Sequence, residues 1–334
     1  MADMNSRKES IGVVVIGRNE GERLRQCLTS SVNRNSYVVY VDSGSTDNSL
    51  NIARDLNVSI VELDMTTPFT AARARNAGFK HLIENCPHIE YVQFIDGDCE
   101  LFEGWLDSAR DFLSDNKEFA IVCGRLKERH PEASVYNRLC NIEWDGPKGD
   151  IDSCGGIFMI RKNVYEENGG MNPLLISGEE PEFCARLRLK SWKIWRMDND
   201  MAWHDAAMTS FFQWWKRSVR TGHGYAQGAA MHGKSSLKHY LRESYSSWFW
   251  GCLFPLSVLF SSFFLYKWLL LLFLAYPLMF VKIFLSFIRQ GKEKETAALY
   301  SVNCILSKFP QVLGQFKFCF RKTLGQKIQI IEYK

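Results

Sequence analysis

The sequence predicts an α/β fold built around a mostly parallel sheet. Four β-rich runs, each dominated by apolar residues, alternate with stretches of helical character. Nearly continuous apolar strands indicate a sheet that helices cover on both faces. The runs are IGVVVIG (11–17), SYVVYVD (36–42), VSIVELD (58–64) and YVQFID (91–96), with the helical stretches EGERLRQCLTSS and TDNSLNIARDL between the first three.

Composition narrows the class of protein. The 334 residues are 46% hydrophobic and 23% charged, which excludes a disordered chain and allows a large core. The net charge of +4 is small for this length, so we expect no nucleic-acid partner. The ten cysteines include no C-x-x-C pair, which favours reduced thiols over a disulfide framework. The first ten residues contain no apolar stretch, and we therefore expect no secretory signal peptide.

One C-terminal region departs from the pattern of a soluble protein. Residues 244–266 carry no charge, and the apolar run that follows Lys267 carries a single lysine. Each run is about as long as the ~20 residues that cross a bilayer core. We therefore predict a membrane hairpin over residues 244–289, with both chain ends in the cytosol because basic residues follow it. A re-entrant or interfacial hairpin, kinked at Pro255 and Pro277, is the alternative.

Polar motifs stand where three of the predicted strands end, and parallel sheets bind ligands at that edge. These motifs are GRNE after the first strand, DSGSTD after the second and DGD after the fourth. No G-x-G-x-x-G follows the first strand, so a dinucleotide site lacks its signature. Asp96 and Asp98 could present oxygen ligands to Mg²⁺ or Mn²⁺, whereas a plain Asp-Gly turn is the alternative.

Seven motifs occur in order along the chain: VVVIGRNEG, VDSGSTDNS, ARARNAG, FIDGD, GGIFMIRKNVYEENGGMN, SGEEPEFCARLRLKSWKIWRM and WHDAAM. They resemble those of inverting family 2 glycosyltransferases of bacterial polysaccharide synthesis, and the resemblance covers roughly residues 10 to 230. It implies a GT-A catalytic domain over residues 10–235, then the membrane hairpin at 244–289 and a basic amphipathic cytosolic tail at 290–334.

In that family the D-x-D acids hold a divalent metal against the donor diphosphate. The resemblance therefore implies Mn²⁺ or Mg²⁺ as cofactor, with Asp98 and the late His204 as ligands, although a lone histidine could equally be structural. A UDP-sugar is the expected donor. The sequence has Asp-Ser at Asp42 and Ser43, where many relatives have Asp-Asp. Residues expected to contact the nucleotide sugar are Arg18, Asn19, Glu20, Asp42, Ser43, Arg75, Asp96 and Gly97.

SGEEPEF, residues 177–183, resembles the acidic loop that supplies the catalytic base. An inverting transfer needs a carboxylate that takes the proton of the acceptor hydroxyl. Glu180 falls on the position of the base, where aspartate is usual, and Glu179 is beside it. Glu182 is assigned to the acceptor or diphosphate region. These acids could also serve a helix N-terminus, where the dipole favours them.

The segment FFQWWKRSVRTGHGYAQ places Trp214 and Arg217 near where processive membrane relatives carry Q-x-x-R-W. Order and spacing differ, so polymerising activity is not implied. We assign both residues to the acceptor or diphosphate region, and an amphipathic helix at the membrane interface is the alternative.

The resemblance implies a membrane-associated inverting glycosyltransferase at the inner (cytoplasmic) membrane, with its catalytic domain facing the cytosol. It would move a sugar to a hydroxyl of a saccharide or lipid-linked saccharide in cell-surface or exopolysaccharide synthesis. The alternative is a polyprenyl-phosphate glycosyl synthase, whose anionic acceptor needs no protein base. Two other classes of protein fit the sequence less well. A nucleotidyltransferase would need a glycine-rich basic loop after the first strand, and GRNEG is a poor match. A non-catalytic scaffold would not need D-x-D, GEEPE and the late histidine together. Donor sugar, acceptor and oligomeric state do not follow from motifs.

Overall fold

The computed structural model describes residues 11–32 and 36–325. They belong to two compact units, each formed by two stretches of the chain. The first unit consists of the described part of Met1–His130 together with Trp144–Ala206. The second consists of Pro131–Glu143 together with the described part of Ala207–Lys334.

Within the described residues, a nine-stranded sheet forms the centre of the first unit. The strand order is β3-β2-β1-β4-β8-β6-β9-β5, and β7 pairs with β9 beside this path. The strands are β1 (Ile11–Gly17), β2 (Ser36–Asp42), β3 (Ser59–Glu62), β4 (Tyr91–Asp96), β5 (Cys99–Leu101), β6 (Phe119–Glu128), β7 (Gly149–Asp150), β8 (Phe158–Arg161) and β9 (Lys193–His204).

Thirteen α-helices occur in the parts of the chain that the structure describes. They are α1 (Glu22–Ser31), α2 (Ser49–Asp55), α3 (Ala71–Asn85), α4 (Trp105–Asp115), α5 (Val135–Glu143), α6 (Lys162–Glu167), α7 (Glu179–Leu189), α8 (Phe211–His232), α9 (Leu241–Trp248), α10 (Phe254–Phe264), α11 (Ala275–Arg289), α12 (Lys294–Leu306) and α13 (Lys308–Thr323).

The four strands predicted from the apolar runs pair in parallel, which confirms the predicted α/β class. β1 lies between β2 and β4, and β3 extends the sheet beyond β2. The register sets Gly17 opposite Asp42 and Ile16 opposite Asp96, so the polar strand ends meet at one edge. Beyond β4 the sheet is mixed, because β8 runs antiparallel to both β4 and β6.

Close packing of α3 on the sheet fixes its position. A Cβ at Gly78 would overlap the side chains of Val14 and Val41, so only glycine allows the helix to approach β1 and β2 this closely. α3 begins after the chain leaves the carboxyl end of β3. Its first two turns, including Arg75, therefore lie at the edge where the polar strand ends meet.

The second unit is helical, and α8 packs directly against α13. A Cβ at Gly222 would overlap the carbonyl oxygen of Gln311, and a Cβ at Gly314 would overlap that of Val219. Beside this crossing, Ser244 Oγ donates to the Gln315 side chain over 2.6 Å. Small residues at crossings and side-chain hydrogen bonds between helices are also how helices associate in membranes.

Two helical stretches of this unit are long and apolar enough to cross a membrane. They are Leu241–Phe264, of 24 residues, and Lys267–Arg289, of 23 residues. None of the residues in the most apolar part of the second stretch is buried. Of the two predicted kink positions, Pro255 lies in the first turn of α10 and Pro277 in the first turn of α11. The break between the stretches lies just before Lys267, which also separates the two apolar runs of the predicted hairpin.

Candidate active site

The turn after β2 is shaped by Asp42, which is buried. Its Oδ1 accepts a hydrogen bond from the Tyr40 hydroxyl at 2.9 Å, and its Oδ2 accepts from the backbone N–H groups of Gly44 and Ser45 at 3.0 and 2.8 Å. The neighbouring Ser43 donates its N–H to the carbonyl of Gly17. Asp42 thus fixes the shape of the loop that follows β2, and Ser43 ties this loop to the end of β1.

The loop after β1 is joined to the same turn. Asn19 has a positive φ of 58°, its N–H donates to Ser45 Oγ at 2.9 Å, and its side-chain oxygen accepts from the Thr46 N–H at 2.7 Å. The Arg18 guanidinium lies over the Phe69 ring, 4.8 Å from its centroid. Glu20 pairs with Arg23 at 2.7 Å. Polar groups predicted to contact a nucleotide therefore line one continuous pair of loops.

The D-x-D turn is pinned to β1 by its glycine. Gly97 donates its N–H to the Ile16 carbonyl at 2.8 Å, and a Cβ at this position would lie 3.3 Å from that carbonyl oxygen. Asp96 ends β4 with a side chain that is 36% exposed, whereas Asp98 is buried. The two acids therefore differ in environment, and only Asp96 is open to solvent.

Arg75 joins the D-x-D turn to the acidic loop. Its guanidinium is buried, with Nη2 2.9 Å from Asp96 Oδ1 and Nη1 2.7 Å from Glu180 Oε1. Nη1 is also 3.5 Å from Glu179 Oε1. The sequence suggested that Arg75 could reach base or phosphate, and the structure places it among three carboxylates. Arg73, on the other side of α3, donates to the carbonyls of loop residues 64, 67 and 68.

Glu180 lies at the start of α7, where burial and the neighbouring Glu179 raise its pKa from 4.5 to about 7, against the opposing effect of Arg75. A carboxyl group with this pKa can both accept and release a proton near neutral pH. Glu182, one turn further, pairs instead with Arg186 at 2.9 Å. Arg186 donates onward to the carbonyls of Asn168 and Gly170, so these contacts tie α7 to the loop after α6.

Gly156 is a site residue that the sequence reasoning did not single out. A Cβ there would lie 2.5 Å from Arg75 Nη2, 3.1 Å from Asp96 Oδ2 and 3.1 Å from Glu180 Oε1. The backbone before β8 therefore covers the Arg75 cluster at van der Waals distance. The Gly-Gly pair in SCGGIF was the available signal, since paired glycines before a strand often mark a close backbone approach.

His204 ends β9 and faces Asp98. The register pairs His204 with Cys99, and His204 Nε2 lies 3.4 Å from Asp98 Oδ1. The ligand atoms of Asp98, Cys99 and His204 all lie within 4.8 Å of one another. Carboxylate and imidazole are ligands that Mn²⁺ accepts. The residues present thus fit a divalent cation held by Asp98 and His204.

Trp214 and Arg217, both on α8, belong to the second unit. The Trp214 indole is buried and donates to Asn303 Oδ1 at 2.8 Å. Arg217 Nη1 lies 2.7 Å from Glu143 Oε2, and Asn303 donates to the other oxygen of Glu143 at 3.1 Å. Both predicted residues therefore contribute contacts that join α5, α8 and α12.

Comparison with known proteins matches this architecture to known sugar transferases. Residues 12–169 match the model of the family described as Glycosyl transferase family 2. The chain is similar to the O-antigen chain rhamnosyltransferase WbaN of Salmonella anatum, with 27% identity over 177 residues, which are 48% of this chain and 54% of that protein. The chain thus spans about half the length of this curated relative.

A solved structure with a similar fold is the mannosyltransferase PcManGT from Pyrobaculum calidifontis in complex with GDP-Man and Mn²⁺. The TM-score is 0.56 at 16% identity, and the match covers 94% of this chain and 88% of that one. At this identity the likeness shows the fold, and it confirms the predicted GT-A-like architecture.

Proposed function

Because residues 12–169 of this chain carry a glycosyl transferase family 2 domain, we propose that the protein is a metal-dependent, inverting glycosyltransferase. It moves a sugar from a nucleotide-sugar donor to a hydroxyl of a saccharide or lipid-linked saccharide. The observation that carries this proposal is the Arg75 bridge, which sets Glu180 beside Asp96 at the edge where donor-binding loops converge.

On the donor side, Asp98 and His204 would hold Mn²⁺ or Mg²⁺. When bound, the cation supplies positive charge that offsets the charge developing on the departing nucleoside diphosphate. The loops that carry Arg18, Asn19 and Asp42 form the surface for the nucleoside. Their hydrogen bonds fix both loops before a ligand arrives, and such preorganisation reduces the entropy lost on binding.

On the acceptor side, Glu180 takes the proton of the attacking hydroxyl. The acceptor oxygen bonds to the anomeric carbon, the bond from that carbon to the diphosphate breaks, and the proton moves to the Glu180 carboxylate. The face opposite the leaving group is attacked, so the configuration inverts. Arg75 keeps the carboxylate oriented, and its charge lowers the pKa of Glu180 against the effects of burial and Glu179.

The alternative acceptor is a polyprenyl phosphate. Its oxygen is already anionic, so it needs no base, and the buried Glu180 would have no proton to accept. The raised pKa of Glu180 favours the hydroxyl acceptor, since this environment suits a group that takes up a proton near neutral pH.

The setting we propose is the cytosolic face of the inner membrane, in the synthesis of a cell-surface polysaccharide. The two exposed apolar helical stretches support membrane association. The similarity to a rhamnosyltransferase of O-antigen synthesis supports the class of product. A UDP-sugar is the donor to test first.

The decisive experiment is a donor and acceptor screen with the purified full-length protein in detergent and Mn²⁺. Sugars of uridine, guanosine and deoxythymidine diphosphate are each offered with a lipid-linked saccharide or a polyprenyl phosphate, and released nucleoside diphosphate is measured. We expect release with the saccharide acceptor and none from Asp98→Ala. Release with polyprenyl phosphate alone would move the assignment to the alternative, and no release with any pair would overturn the proposal.

A further inference from the structure

Glu128 is a buried carboxylate to which the proposed mechanism gives no role. It ends β6, and its side chain is fully buried. A buried carboxylate is stable only when other groups compensate its loss of water. Here its Oε1 accepts from the His130 N–H and its Oε2 from the Ala206 N–H, both at 3.1 Å.

The same Oε2 also faces the imidazole of His204, with Nδ1 at 4.0 Å. His204 Nδ1 is buried and makes no hydrogen bond within the part of the chain that the structure describes, so an N–H at this atom would face the Glu128 carboxylate. The other ring nitrogen, Nε2, points to Asp98 at 3.4 Å. The ring thus lies between two carboxylates that contact it at opposite nitrogens.

Trp144 limits how far this ring can turn. Its indole meets the His204 ring edge to face, with centroids 4.5 Å apart and planes at 79°. A neutral imidazole carries one proton, on either Nδ1 or Nε2. A proton on Nδ1 would face Glu128 and leave the Nε2 lone pair toward Asp98, where a cation could accept it. The opposite tautomer would place the proton between Nε2 and Asp98, where it would block a cation, and would direct the other lone pair at Glu128.

We propose that Glu128 is a positioning residue that keeps the His204 proton on Nδ1 and so presents Nε2 as a metal ligand. This inference rests on the metal site of the proposed function. The 4.0 Å between Nδ1 and Glu128 Oε2 is longer than a hydrogen bond, so the attraction between them is electrostatic. A carboxylate at the distal N–H of a ligating histidine fixes its tautomer and ring orientation, and losing such a partner typically costs about 10- to 100-fold in metal affinity. The competing view is that Glu128 only satisfies two backbone N–H groups.

The test is a double-mutant cycle on the full-length protein in detergent. Mn²⁺ affinity is measured by paramagnetic resonance with nucleoside diphosphate present and acceptor absent, for Glu128→Gln, His204→Ala and the double variant. We expect Glu128→Gln to weaken Mn²⁺ about 10- to 100-fold, and to add little in the His204→Ala background because the two residues act as one unit. Glu100→Gln is the matched control, since Glu100 lies on β5 and pairs with Arg129, which directly follows β6.

An equal loss from Glu128→Gln with and without His204, or unchanged Mn²⁺ affinity, would overturn the positioning role while leaving the metal site in place. No Mn²⁺ binding by the unmodified protein would overturn the metal site and this inference with it. If Glu128→Gln does not fold, the unmodified protein still decides the matter. Nitrogen-15 spectra of labelled histidine should show the His204 proton on Nδ1, and a proton on Nε2 would refute the inference.

Discussion

Arg75 Nη1 and Glu180 Oε1 lie 2.7 Å apart although 105 residues separate them in the chain. The same guanidinium holds Asp96 through its other terminal nitrogen. Since Asp96 ends β4 and Glu180 lies in the first turn of α7, one buried side chain fixes the distance between the D-x-D turn and the acidic loop. Several properties of the site should therefore change together when this contact is altered.

Replacing Arg75 with alanine should lower both stability and turnover. The change leaves Asp96, Glu180 and the buried Glu179 without their cation, and removing one partner of a buried ion pair costs about 3–5 kcal/mol. Thermal unfolding and initial rates measure the two effects. Lys80→Ala on the same helix, whose partner Glu84 is exposed, should change neither. An Arg75→Ala protein with unaltered melting temperature and turnover would contradict the bridge.

Turnover should fall as pH decreases through about 7, because only the ionised form of Glu180 accepts a proton. Glu180→Gln should reduce kcat by roughly 10²- to 10⁴-fold, leave donor affinity nearly intact and remove this pH dependence. Wild-type kcat in Glu180→Gln would exclude it as the base. The variant Glu179→Gln tests whether the adjacent carboxylate can act as the base in place of Glu180.

Ionisation of Glu180 should also affect the stability of the protein. Turnover should rise with pH, whereas the free energy of unfolding should fall. The pKa of Glu180 is raised in the fold, so the folded state binds this proton more tightly than the unfolded chain does. Its ionisation therefore reduces the free energy of unfolding as pH rises from 4.5 to about 7. At pH 8, Glu180→Gln should melt at the same or a higher temperature than the unmodified protein. A markedly lower melting temperature would mean that the ionised carboxylate stabilises the fold.

Gly156→Ala should disturb the Arg75 cluster, whereas Gly155→Ala should not. The added Cβ at 156 would lie 2.5 Å from Arg75 Nη2, whereas a Cβ at 155 would have no atom of the described residues within 4 Å. We expect turnover to fall only in Gly156→Ala, because the guanidinium must shift and carry Glu180 with it. Equal activity of the two variants would show that the backbone at Gly156 does not pack tightly against the Arg75 cluster.

The full-length protein should stay with membranes after washing in high salt and at alkaline pH. Two helical stretches of 24 and 23 residues with exposed apolar side chains predict this behaviour. Sedimentation of membranes after each wash is the measurement. A protein released by salt alone would point to attachment through its basic residues and not through the hairpin.

Much of the sheet could be predicted from the sequence because its strands are continuous apolar runs between polar turns. β1, β2 and β4 have the predicted bounds, and their parallel pairing brings the polar ends together as expected. The partner of Arg75 could not be predicted, because it depends on which face of α3 packs on the sheet. Gly156 and Glu128 are similar cases, since their importance comes from neighbours distant in sequence.

The packing of helices in the second unit could not be predicted from local sequence patterns either. Nothing in the sequence of α5 indicates that Glu143 meets Arg217 and Asn303, 74 and 160 residues away. The apolar periodicity of these helices predicts that each is a helix, but it does not indicate which helices pack together.

The crossing of α8 and α13 at Gly222 and Gly314 constrains the path of the chain between them. Backbones in direct contact must occupy the same compartment, and both apolar stretches lie between these two glycines. The chain must therefore pass through any bilayer an even number of times between the two helices, either twice or not at all. During synthesis, the crossing can form only after residue 314 has left the ribosome, when the entire apolar hairpin has already been made.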